Sequence, residues 1–119
     1  MDNKTEKINV RVLYWKEIPL QVEVEFGGDK LSRQLEDRFQ EGVDAIAMFE
    51  NSYGNDDYLN GFKWDESFHV KGEINNVLND IVNNFNMKFP LDFVSKIRDM
   101  HREGKRKFTA RSVDYWLKS

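Results

Sequence analysis

With no cysteine among its 119 residues, the chain has two histidines and 21 Asp and Glu from which to draw a metal site, and the same groups with Lys, Tyr, Ser and Thr for acid–base or nucleophilic chemistry. Without thiols there is no thiolate metal site, no cysteine nucleophile and no disulfide framework, a composition that suits a reducing cytosol. His69 and His101 stand far apart, and no HxH, HxxxH or HExxH spacing surrounds either of them. His69 falls on the polar parity of a candidate strand and reads as a solvated residue. Asn55-Asp56-Asp57 gathers oxygen ligands but lacks the alternating acids and distant bidentate Glu of a calcium loop, so it reads as a helix cap. A glycosidase-type carboxylate pair cannot be chosen from spacing alone. The sequence therefore assigns no catalytic residue, no metal site and no cofactor.

Two features could hold an anion. Gly27-Gly28-Asp29 lies between a strand pattern and a helical one, where backbone N–H groups can cradle a phosphate, although it matches neither GxGxxG nor GxxxxGK[ST]. The same glycine pair also serves simply to turn the chain. The segment Asp92–Arg111 carries seven cations and three anions, net +4, so the remaining residues carry −3 − 4 = −7. Its Arg102, Lys105, Arg106 and Lys107 could track phosphate, or could complement a helix dipole from a solvated face.

The most unusual stretch is Tyr14-Trp15-Lys16-Glu17-Ile18-Pro19. Adjacent aromatics on a strand point to opposite faces, which sends Trp15 away from the face that Tyr14 covers. Pro19 restricts Ile18 to extended conformations, and the connection looks longer than a two-residue turn. A large aromatic, two opposite charges and a restricted bond together suggest a partner-binding loop; packing of Trp15 beneath the loop is the structural alternative.

The elements that must position these residues follow from periodicity. Residues 1–7 read as a frayed leader. Ile8, Val10, Val12 and Tyr14, then Leu20, Val22, Val24 and Phe26, alternate with polar residues as two half-buried strands do, and predict an antiparallel hairpin. A helix is expected directly after Asp29 or Ser32, with Leu35, Phe39, Gly42, Val43, Ile46 and Phe49 on its apolar face. A short turn carries Tyr58 and Leu59. Phe62, Trp64, Phe68 and Val70 share one parity and predict a third strand over 62–71. Ile74, Val77, Leu78, Ile81, Val82 and Phe85 mark a second helix. Pro90 starts a third with Leu91, Val94 and Ile97 inward, and a last short helix is expected from Thr109. The fold class is α+β: a small antiparallel sheet of a hairpin plus a third strand, covered on one face by three or four helices. Residues 8–119 form one domain, with 8–89 as its core and 90–119 as a basic helical extension.

Composition narrows the class further. A net charge of −3 argues against nucleic-acid or anionic-membrane binding, and no apolar run approaches a membrane span. The ordered motifs Tyr14 to Pro19, Gln21-Val22, Arg38-Phe39, Asp44-Ala45-Ile46-Ala47-Met48 and Asp56-Asp57-Tyr58-Leu59 resemble a small bacterial family, the virulence factor domain, also part of conserved virulence factor C. Phe62 stands where the family pattern has a Trp, and Trp64 follows. The resemblance implies a bacterial cytoplasmic domain with no active site to transfer. Members of that family tend to be encoded beside one-carbon enzymes that use folate and corrinoid, so the resemblance also implies an accessory subunit or scaffold. The function expected from the sequence is that of a non-catalytic accessory or protein-interaction module working through Tyr14 to Pro19. The alternative is an enzyme component that binds a phosphorylated or folate-like ligand at Gly27, Gly28 and Arg102 to Lys107. A protein partner is expected, and the oligomeric state stays open.

Overall fold

The computed structural model describes residues 7–118. The expected leader lies outside the described residues except for Lys7, which opens the first strand. Strands β1 (Lys7–Trp15), β2 (Ile18–Phe26) and β3 (Asp29–Gln34) form a meander, followed by helices α1 (Asp37–Phe49) and α2 (Asp56–Asn60). Strands β4 (Phe62–Trp64) and β5 (Phe68–Lys71) then precede helices α3 (Ile74–Lys88) and α4 (Phe93–Arg102), and a 3₁₀ turn spans Asp114–Leu117. The sheet is antiparallel, in the order β3-β2-β1-β4, with β5 also paired to β1. The fold is a small α+β domain.

The hairpin alternation holds: Ile8, Val10, Val12 and Tyr14 are buried opposite Val24, Val22 and Pro19. Two connections differ from expectation. Trp15 pairs with Ile18, so the first turn is only Lys16-Glu17, and the extra length is absorbed by a bulge at Leu13/Tyr14. Gly27 and Gly28 (φ 58° and 91°) form a two-residue hairpin turn, after which β3 replaces the first turns of the expected helix. Both turn positions need φ > 0, which glycine adopts without strain and which gives the turn the twist of its strands. Residues 29–34 alternate too weakly to reveal a strand, being almost wholly exposed along this sheet edge.

The expected third strand is two. β4 pairs Leu13 with Trp64, whereas β5 pairs Val10 with Phe68, a register one residue apart. A slip of one residue exchanges faces. Phe62 and Trp64 therefore lie on the face of Leu13 and Trp15, while Phe68 and Val70 lie on that of Ile8 and Val10. On the former face Arg11 pairs with Glu23 across the hairpin (2.6 Å) and its guanidinium stacks on Trp64 (4.1 Å).

Helix α3 packs on β2 and β3, and is capped by Glu73, whose carboxylate accepts from the backbone of Asn75 and Asn76; these bonds hold its pKa below the usual range. Its far end is closed from α1. Arg38 donates to the carbonyls of Asn86, Phe89 and Pro90 at 3.0–3.1 Å, satisfying carbonyls at the negative pole of α3. Phe39, Phe89, Phe93 and Trp116 form a chain of ring contacts at 5.3–5.6 Å. A side chain at Gly42 would run into the Phe93 ring, so the glycine sets the close approach of α1 and α4. Phe93, not Leu91, supplies the first inward residue of α4, and Leu91 is exposed. Phe93, with Ile97 and Val113, joins the same core as the hairpin. The last helix is a 3₁₀ turn beginning at Asp114, later than expected.

Phe39 is fully buried where α1 meets α4. Phe39→Ala is expected to cost about 3–5 kcal/mol in denaturant unfolding, as a buried aromatic truncation does. A cost below about 1 kcal/mol would contradict this placement.

Candidate functional site

The β1–β2 turn is a corner where charge is buried. Lys16 is held in a left-handed conformation (φ 50°), which costs a non-glycine residue roughly 1–2 kcal/mol. Fixed bonds offset that cost. Its amide donates to the Gly61 carbonyl (2.8 Å), and its ammonium bridges Glu50 (2.8 Å) and Asp57 (2.9 Å). Glu17 is wholly buried and meets the Arg106 guanidinium in a two-pronged pair, with Nε to Oε2 at 2.6 Å and Nη2 to Oε1 at 2.9 Å. Arg106 also reaches Glu50 (3.5 Å) and the ring nitrogen Nδ1 of His101 (3.1 Å), and stacks over Phe108 (4.3 Å). Since a guanidinium only donates, His101 Nδ1 accepts.

Trp15 is 0% exposed, which corrects the expectation of a projecting aromatic. Its indole N–H donates to the Tyr58 carbonyl (2.8 Å), and a side-chain carbon at Gly61 would stand 2.5 Å from that nitrogen. Tyr14, Glu17, Ile18 and Pro19 are buried as well, leaving only Lys16 partly accessible. The cause is the bulge and the two-residue turn: the chain reverses beneath α2 and the C-terminal segment, and each side chain finds an internal partner. A sequence in which aromatics, opposite charges and Pro adjoin describes a buried corner as well as it describes an exposed loop.

The anion-binding set does not assemble. The Gly27-Gly28 turn closes the end of β2 opposite to Ile18, so the nine-residue strand puts it about 25–30 Å from the corner that holds Arg106. It adjoins a strand on either side and has no helix N-terminus. Arg102, Lys105 and Lys107 are exposed as expected, whereas Arg106 is buried and neutralised. His69 is exposed, and Asn55 caps α2 by accepting from the amides of Asp57 and Tyr58. No group of three His, Asp or Glu suited to a metal occurs among the described residues.

Beside the corner an open cleft of about 480 Å³ is lined by Tyr14, Lys16, Lys63, Asp57, Asn60 and Phe108, among others. Its floor is the β1–β4 ribbon, with α2 on one side and residues 108–110 on the other. Tyr14 is tied beneath it, its hydroxyl donating to Asp114 (2.6 Å). Burial, then the Asp114 charge, pushes the phenol well above its ordinary pKa, and burial pushes the Asp114 carboxyl up. Arg111 pairs with Asp65 and donates to the Glu66 carbonyl (3.0 Å), fastening the C-terminal segment to the sheet edge. What remains for a ligand is Lys63, which makes no ion pair among the described residues, and Phe108, 46% exposed.

Architecture and site thus define a small α+β domain with an open cleft at a hairpin corner fixed by buried ion pairs. The virulence factor family matches residues 13–97, most of the sequence, and the chain belongs to that family. The match covers Glu17 and runs past Pro90 to Ile97 in α4, stopping short of Arg106. No curated protein and no solved structure matches the chain. No helix among the described residues is long and apolar enough to cross a membrane.

A charge left alone in this corner is costly. Arg106→Met is expected to lose about 3–5 kcal/mol of stability by stranding Glu17, whereas Glu17→Met with Arg106→Met should recover most of that loss. Urea unfolding of the parent protein, Arg106→Met, Glu17→Met and the double variant checks it. A double variant that loses the sum of the single effects would show that the pair is not coupled.

Proposed function

We propose that this protein is a non-catalytic recognition module, an accessory subunit that holds a partner protein at the cleft beside the β1–β2 corner. The setting proposed is the bacterial cytoplasm, with folate- and corrinoid-dependent one-carbon enzymes as the partners that the family resemblance suggests. One observation carries the reading. The charged side chains buried at the corner are already consumed by one another, and the Asp57 and Asp65 carboxylates in the cleft are paired with Lys16 and Arg111, while the other groups that line the cleft include a half-exposed ring and an ammonium with no ion pair among the described residues. A general acid or base needs a poised titratable group within reach of substrate. Fixed geometry with an aromatic anchor and a flanking charge is instead what an interface uses. The expected loop surface thereby moves from Trp15 to the cleft that Tyr14 and Lys16 underlie. The phosphate- or folate-binding alternative loses ground because its glycine turn and its basic residues lie at opposite ends of β2.

The test uses partner capture from a native host, followed by titration with the purified partner. Phe108→Ala with Lys63→Glu should leave the protein folded, lowering the thermal midpoint only by the lost Arg106 stacking, and weaken the complex by about 2 kcal/mol or more, the range of a hot spot, with Lys63→Glu alone weakening it at an unchanged midpoint. Turnover of a substrate by the isolated protein, or affinity unmoved by the double change, would contradict the proposal.

A further inference from the structure

Between Arg38 and Lys63 the chain has no cationic side chain, and it has five acidic ones: Glu41, Asp44, Glu50, Asp56 and Asp57. This segment forms α1, α2 and the loop between them. It also carries three of the most exposed large apolar residues, Met48 (65%), Tyr53 (58%) and Leu59 (65%). Tyr58 and Asp44 link the segments that carry them. Tyr53 packs edge-on against Tyr58 (5.2 Å), and the Tyr58 hydroxyl donates to Asp44 (3.2 Å). Asp44 lies one turn before Met48 on the same side of α1, and Leu59 follows Tyr58 in α2. The backbone is fixed as well: the amides of Ser52 and Tyr53 both donate to the Ala47 carbonyl (2.8 and 3.2 Å), and Asn55 caps α2. The cations that reach these acids, Lys16 and Arg106, meet only Glu50 and Asp57, and both are spent within the corner. Glu41 and Asp56 form no ion pair among the described residues and face solvent.

We infer that the Met48–Tyr53–Leu59 surface docks a basic amphipathic helix of another protein, whose apolar side chains sit on these three residues and whose Lys or Arg side chains meet Glu41, Asp44 and Asp56. An apolar centre with a rim of one sign selects an occupant with an apolar face and the opposite sign. The surface is built from helices and a loop and offers no strand edge, so the occupant satisfies its own backbone, as a helix does. Nucleic acid and anionic membranes are repelled by the same rim. This inference stands independently of what the cleft beside Phe108 holds.

The probes are a synthetic Leu/Lys peptide with helical amphipathic spacing, its Leu/Glu counterpart, and a scrambled Leu/Lys peptide of identical composition, each titrated by NMR into the full chain. The Leu/Lys helix should bind, shift the amide signals of Met48, Tyr53 and Leu59, and weaken as salt is raised. The scrambled and acidic peptides should bind at least about tenfold more weakly. Met48→Ser with Leu59→Ser, which removes apolar surface at constant charge, and Glu41→Gln with Asp56→Asn, which removes charge, should each weaken the Leu/Lys helix about tenfold or more. All four positions are exposed, and an unchanged thermal melt verifies the fold. Equal binding of the scrambled peptide, shifts centred elsewhere, or affinity unmoved by either pair of substitutions would overturn the inference. So would sedimentation showing that the surface is covered by a second copy of this chain.

Discussion

The Glu17–Arg106 pair is the constraint on which the arrangement of this protein depends. It joins residues 89 apart in sequence, each with a side chain almost wholly removed from water. Neither ion is tolerable there alone, since the effective penalty for burying a charge amounts to several kcal/mol. The pair therefore acts as a registration device: the turn that buries Glu17 is consistent only with a C-terminal segment that delivers Arg106 to it. Glu50 and His101 supply further partners, and Lys16 extends the network to Asp57 on α2. Four separate parts of the chain are thereby fixed relative to one another.

Fixing them creates the cleft. Residues 108–110 can wall it because Arg106 holds one side of that segment while Arg111 and the Tyr14–Asp114 bond hold the other. The motifs that carry the family resemblance converge at this place. Trp15 bonds to the Tyr58 carbonyl, Lys16 to Asp57, and Tyr58 to Asp44, so segments far apart in sequence share one corner. Arg38, from another of those motifs, instead closes the end of α3. These residues explain the shape of the corner by what they bond to.

Much of the fold was legible in the sequence. Strict alternation from Ile8 to Tyr14 and helical spacing from Val77 to Phe85 each bury one face, and periodicity records burial directly. The failures lie where periodicity is silent. β3 is an exposed edge, so its sequence carries no alternation to read. The one-residue slip between β4 and β5 arises from pairing with β1 and leaves no local trace. The site was less legible, because the partners of Trp15, Glu17 and Tyr14 come from residues 58, 106 and 114. Arg106 sits within a run of cations, and nothing local distinguishes it from its solvated neighbours Lys105 and Lys107. A buried acid in a tight turn demands a buried cation somewhere, but the demand does not say which.

The central claim is that the hairpin corner and the C-terminal segment form one cooperative unit through Glu17 and Arg106. Native-state hydrogen exchange reads this at two amides, Lys16, which donates to Gly61 (2.8 Å), and Lys105, which donates to Met100 (2.8 Å). If the pair locks the two segments, both amides should exchange through one opening, with the same free energy and the same dependence on denaturant. Exchange of Lys105 through low-energy local fraying while Lys16 stays protected to the level of global unfolding would contradict it.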